Sequence, residues 1–145
     1  MKRLLVVLLV AAIILSAGCA KTPPEITADI TPQVAPIIKD INTQDAFTLI
    51  QENQNNPDFV IIDVRTPEEF AQGHLANAIN IDSYSDTFRD ELNNLDKDKT
   101  YLVYCAVGSR SASALVIMQE LGFMEAYNML GGINQWQAEG LPITE

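Results

Sequence analysis

Two stretches have the uninterrupted apolar, β-branched character of strands covered on both faces: Phe59-Val60-Ile61-Ile62-Asp63-Val64 and Thr100-Tyr101-Leu102-Val103-Tyr104. Shorter runs at Ile79–Ile81 and Ala126–Met129 predict two further strands. Helical spacing fills the intervals. Asn42-Thr43-Gln44-Asp45 is a helix start, with Ala46, Phe47 and Ile50 on one face through about Asn53. Thr66-Pro67-Glu68-Glu69 supplies a cap, a proline for the first turn and a capping-box glutamate, and Gly73 keeps that helix short. Ser85 is expected to cap a helix running to about Leu95. A helix from Ser109 to Leu121 carries Ala112, Leu115, Val116 and Gln119 at helical spacing and stops at Gly122. Ile133–Ala138 adds a last helical turn or two. Buried strands alternating with helices predict an α/β domain of three layers, a parallel sheet with helices on both faces, over residues 41–145.

The N-terminal end differs. Lys2 and Arg3 precede an apolar run from Leu4 to Leu15, twelve residues, where a bilayer-spanning helix needs about 20. That is the length of a signal-peptide hydrophobic core. Leu15-Ser16-Ala17-Gly18-Cys19 then resembles a lipobox, the bacterial-type signal in which small residues precede a cysteine that is lipidated and becomes the new N-terminus. The expectation is a signal peptide over 1–18 and a lipid anchor on Cys19, facing out of the cytoplasm; a secreted or periplasmic protein is the alternative. Residues 19–40 hold four of the seven prolines, at 23, 24, 32 and 36, and read as an extended tether reaching up to about 60 Å. Within it only Val34–Ile38 has the composition of a strand packed on the domain.

Composition narrows the chemistry. The formal net charge of −10 excludes a basic, phosphate-tracking face, so no nucleic-acid partner is expected. Two cysteines and one histidine cannot complete a tetrahedral zinc site, and no metal or other cofactor is called for. If Cys19 carries lipid, Cys105 is the sole free thiol, and a lone thiol outside the cytoplasm needs a reason.

Cys105-Ala106-Val107-Gly108-Ser109-Arg110-Ser111 joins the carboxyl end of a buried strand to a helix, the edge at which open α/β sheets bind ligands. With Gly108 free in its backbone angles, the loop can turn amide N–H groups inward around Cys105 as an anion nest. A free thiol, of pKa about 8.5, is only about 3% thiolate at pH 7. Lowering it by about two units takes about 2.7 kcal/mol of preference for the anion. A helix terminus typically supplies about 0.3–1 kcal/mol. The rest must come from amides and a cation, and Arg110, five residues on, is the candidate.

The same segment resembles the active-site loop of rhodanese-like sulfurtransferases. Asp63-Val64-Arg65, Glu68-Glu69-Phe70 and Gly73-His74-Leu75-Ala76-Asn77-Ala78-Ile79-Asn80 are similar to that family's N-terminal signature, and Gly131-Gly132, Trp136 and Gly140-Leu141-Pro142 to its ending. The resemblance implies a sheet of about five strands. It also implies that Cys105 takes a sulfane sulfur from a thiosulfate-like anion as a persulfide and passes it to a thiol or protein acceptor. Ala106, Val107, Gly108, Ser109 and Arg110 would form the anion-binding loop. Related cysteine-dependent phosphatases place the arginine one position further from the cysteine, which separates them from this shorter loop. Ala106 departs from relatives with a cation after the cysteine, and a non-catalytic binding module on the same fold is the second reading.

Other residues have plainer expectations. Asp63 organises loop amides; Arg65 either contacts substrate or pairs with Glu68 or Glu69. His74 makes a structural contact and Trp136 packs in the core.

Overall fold

The computed structural model describes residues 34–145. The expected signal peptide (1–18), Cys19 and most of the tether lie outside the described residues. Along the chain run β1 (Ile37–Ile41), α1 (Thr43–Glu52), β2 (Phe59–Asp63), α2 (Pro67–Ala71), β3 (Ala78–Asn80), α3 (Phe88–Asn93), β4 (Thr100–Tyr104), α4 (Ser109–Glu120), β5 (Glu125–Met129) and α5 (Gly132–Ala138). The five strands form one sheet in the order β1-β5-β4-β2-β3, with every pairing parallel.

The alternation of side chains in β2 and β4 splits the core into two layers. Ile62, Val64, Tyr101 and Val103 face α3 and α4, packing with Phe88, Leu92, Leu115 and Met118. Ile61, Leu102 and Tyr104 face α1 and α5, packing with Ala46, Ile133 and Trp136. The three-layer α/β arrangement expected from the runs is therefore present, and Trp136 is core, with its indole N–H donating to the Pro142 carbonyl at 2.9 Å.

Local signals act where they stand. Asn42 caps α1, accepting from the Asp45 N–H at 2.8 Å, and Thr66 with Glu69 closes a reciprocal capping box around Pro67. Three boundaries differ from expectation. Ile37–Ile41, placed largely in the tether, is an edge strand paired along its whole length with β5. Its mixed burial hides it from a search for apolar runs. Ser85 does not cap α3: its hydroxyl accepts from Thr87 in a turn before a helix that ends at Asn93. Lys97 closes that end, donating to the Leu92, Asn93 and Leu95 carbonyls. In α4 the buried stripe is Ser111, Ala114, Leu115 and Met118, whereas Val116 and Gln119 face solvent.

Candidate active site

The carboxyl ends of β2, β4 and β5 bring together the segments after Asp63, Tyr104 and Met129. Tyr104 accepts from the Val64 N–H at 2.9 Å, continuing the β2–β4 ladder to the start of the cysteine loop. The loop is clamped from the far side by α5, whose first amides donate to it: Ile133 N–H to the Cys105 carbonyl at 2.9 Å and Asn134 N–H to Ala106 at 3.1 Å. That approach explains Gly132. A Cβ there would stand 2.3 Å from the Cys105 carbonyl oxygen and 2.6 Å from the Ala106 carbonyl carbon.

Within the loop, Gly108 adopts φ +96°, which aims its N–H at Cys105 Sγ, 3.1 Å away. The Ser111 hydroxyl donates to the same sulfur at 3.5 Å from the first turn of α4. Burial alone pushes the Cys105 thiol up. It is outweighed by the Ser111 hydroxyl and by the amides of Ser111, Val107 and Gly108, so the thiol titrates below the ordinary cysteine value. The Gly108 N–H thus points into the loop at Sγ, and the Ser111 hydroxyl is a donor beyond the expected loop residues 106–110.

Cys105 is fully buried. One feature differs from the sequence expectation. Arg110 is not the cation aimed at the thiolate. Its Nη1 and Nη2 donate to the two carboxylate oxygens of Glu69, each at 2.8 Å, and the guanidinium lies 5.4 Å above the Tyr84 ring. The bidentate bond from Arg110 holds the Glu69 carboxyl down at about 2, and the pair raises Arg110 above its ordinary value.

Asp63 and Arg65 form a second closed pair, with Arg65 Nη2 2.6 Å from Asp63 Oδ2 and 2.7 Å from the Gly73 carbonyl. Asp63 also accepts the Arg65 N–H at 2.9 Å. It therefore organises one amide, its neighbour's, rather than the cysteine loop. Arg65 is buried against Asp63 and bonds to neither Glu68 nor Glu69. His74 stacks on Phe70 at 3.8 Å and exchanges backbone bonds with Thr144, the structural role expected. Among the described residues, no cluster of three metal-ligating side chains occurs, and no helix is long and apolar enough to cross a membrane.

The model of the Rhodanese-like domain matches residues 46–139. The chain belongs to the rhodanese-like family. It is 32% identical to the Sulfurtransferase of Allochromatium vinosum over 71% of this chain and 94% of that protein. It is 33% identical to Thiosulfate sulfurtransferase GlpE of Coxiella burnetii over 69% of this chain and 88% of that protein. Among solved structures, a rhodanese-related protein from Thermoplasma volcanium superposes with a TM-score of 0.61 at 36% identity, covering 73% of this chain and 97% of the other. The rhodanese-like fold and its kinship with sulfurtransferases follow from these matches together.

Proposed function

We propose that this rhodanese-like domain is a sulfurtransferase or persulfide carrier acting through Cys105. The thiolate attacks the outer sulfur of a thiosulfate-like donor, the donor's S–S bond breaks, and its electron pair leaves with sulfite. An acceptor nucleophile then attacks the outer sulfur of the persulfide and Cys105 leaves as thiolate, so the two displacements need no oxidant. Ala106, Val107, Gly108 and Ser109 form the wall of the anion loop, Arg110 ties its end to Glu69 of α2, and Asp63 with Arg65 supports the adjoining end of β2. The observation that carries the reading is the convergence of the Gly108 N–H and the Ser111 hydroxyl on one sulfur, a cradle suited to an anionic persulfide. The purified protein should release thiocyanate from thiosulfate and cyanide, and Cys105→Ser should abolish it. Equal rates in the two proteins would refute the reading.

Full burial of Cys105 favours a second reading, a binding module that retains the fold without turnover. A protein that gains sulfur from no donor, yet captures a partner with Cys105 replaced, would establish it.

The location we propose is the extracytoplasmic face of a membrane, with lipid on Cys19 after removal of residues 1–18. Support for it lies in the basic start, the apolar run and the small residues before Cys19. Cys19→Ala should move the protein to the soluble fraction; continued membrane association would exclude lipidation there. A secreted or periplasmic form is the alternative.

A further inference from the structure

The charge around Cys105 is arranged differently from what a dianionic donor requires. Two arginines lie in the segments that build the site, and both are committed to carboxylates: Arg65 to Asp63, and Arg110 to Glu69 through two bonds of 2.8 Å. Arg110 closes the loop that begins at Cys105, five residues on, and Glu69 neutralises it by accepting from both guanidinium nitrogens. The loop residues 106–109 carry no charge, and the segment bearing Tyr84 adds Asp82 and Asp86 but no cation. A chain of net charge −10 supplies no attractive field to compensate.

Apolar surface gathers at the same edge. Tyr84, lying under the Arg110 guanidinium, is 71% exposed; Val107, in the loop, is 57% exposed. Leu130, whose Cα would lie 3.4 Å from a Cβ on Gly108, is 47% exposed. These are three of the seven large apolar side chains that the described residues leave exposed: Val107 is in the loop, Leu130 lies beside Gly108 and Tyr84 beside Arg110.

We infer that the donor this site accepts is an organic hydropersulfide, R–S–SH with an uncharged apolar R, in preference to thiosulfate, and that Glu69 sets this preference by neutralising Arg110. The inference rests on the sulfur-transfer reading of Cys105. The Cys105 thiolate attacks the outer sulfur, the S–S bond between the two donor sulfurs breaks, and its electron pair leaves with RS⁻. The outer sulfur's proton stays on the new persulfide or passes to RS⁻, with no net oxidation. Thiosulfate would bring two negative charges to a site whose arginines are already satisfied. A hydropersulfide brings at most one, and it lands in the amide cradle.

The test uses the full chain in detergent. It reads, by intact-protein mass, the rate at which Cys105 gains one sulfur atom from ethyl hydropersulfide and from thiosulfate, with Cys105→Ser as background. Glu69→Gln frees Arg110 while keeping an amide oxygen for the Thr66 N–H in the capping box. Glu68→Gln removes the same charge from an exposed neighbour. We expect the wild type to load faster from the hydropersulfide, and Glu69→Gln to raise the thiosulfate-to-hydropersulfide ratio about tenfold, as unmasking a cation beside an anion should. Glu68→Gln should leave the ratio within about twofold. Faster loading of the wild type from thiosulfate, or the same ratio in both glutamine variants, would overturn the inference while leaving sulfur transfer intact. Loading from neither donor would instead overturn the sulfur-transfer reading itself.

Discussion

Cys105 is held by opposed effects: burial disfavours its anion, and the Ser111 hydroxyl with three amides favours it more. Of these donors only the hydroxyl can be removed without touching the backbone. Ser111→Ala should therefore move the thiol titration to higher pH and slow alkylation at pH 7 about tenfold, the loss expected for a hydrogen bond to an anion. The pH dependence of alkylation checks this; an unchanged profile would mean that the amides suffice. Glu69 gives a second residue-level prediction. Its carboxyl is lowered from the ordinary 4.5 to about 2, so its contribution to stability is complete above the unfolded value and is lost as pH falls from about 4.5 toward 2. With Glu69 about one-third exposed, solvent screening limits that contribution to about 1 kcal/mol or less. Urea midpoints measured across this window should fall less steeply in Glu69→Gln than in the wild type.

The elements impose their own tolerances, and the glycines show how. Gly132 and Gly122 both have positive φ, +56° and +85°. A Cβ on Gly132 would strike the backbone of Cys105 and Ala106, whereas one on Gly122 meets nothing within 4 Å. Gly122→Ala should cost about 1 kcal/mol for left-handed backbone alone. Gly132→Ala must also push α5 away from the cysteine loop, costing at least about 3 kcal/mol and raising the thiol titration. Denaturant unfolding of the two variants measures the difference. The glycine pair at 131–132 is visible in the sequence, but its purpose is not. The close approach joins residues 105 and 132, which lie on different elements. Ser111 was hidden for a related reason: the helical spacing around it admits more than one apolar face, and only contact with the sheet selects Ser111, Ala114, Leu115 and Met118.

For the molecule as a whole, the N-terminal limit of the folded unit matters most. Because β1 pairs along its length with β5, a chain beginning at Val34 should keep its sheet. One beginning at Asn42 would expose the β5 edge and aggregate or unfold at lower denaturant. Equal stability of the two truncations would show that β1 contributes nothing. Of β1 the sequence offered only Ile37 and Ile38, within the strand-like Val34–Ile38, because an edge strand with little burial lacks a long apolar run. Much else was legible: β2 and β4 from their continuous apolar stretches, the caps of α1 and α2 from residues three apart, and the cysteine nest from a strand–loop–helix junction containing Gly108. These features depend on steric and hydrogen-bonding preferences that act within a turn or a strand, so the order of residues suffices to determine them. The strand order, the burial of Cys105 and the choice of Glu69 for Arg110 and Asp63 for Arg65 were decided only by the tertiary structure. Glu69 and Arg110 stand 41 residues apart; which charges meet across such a gap depends on how the connections cross the sheet.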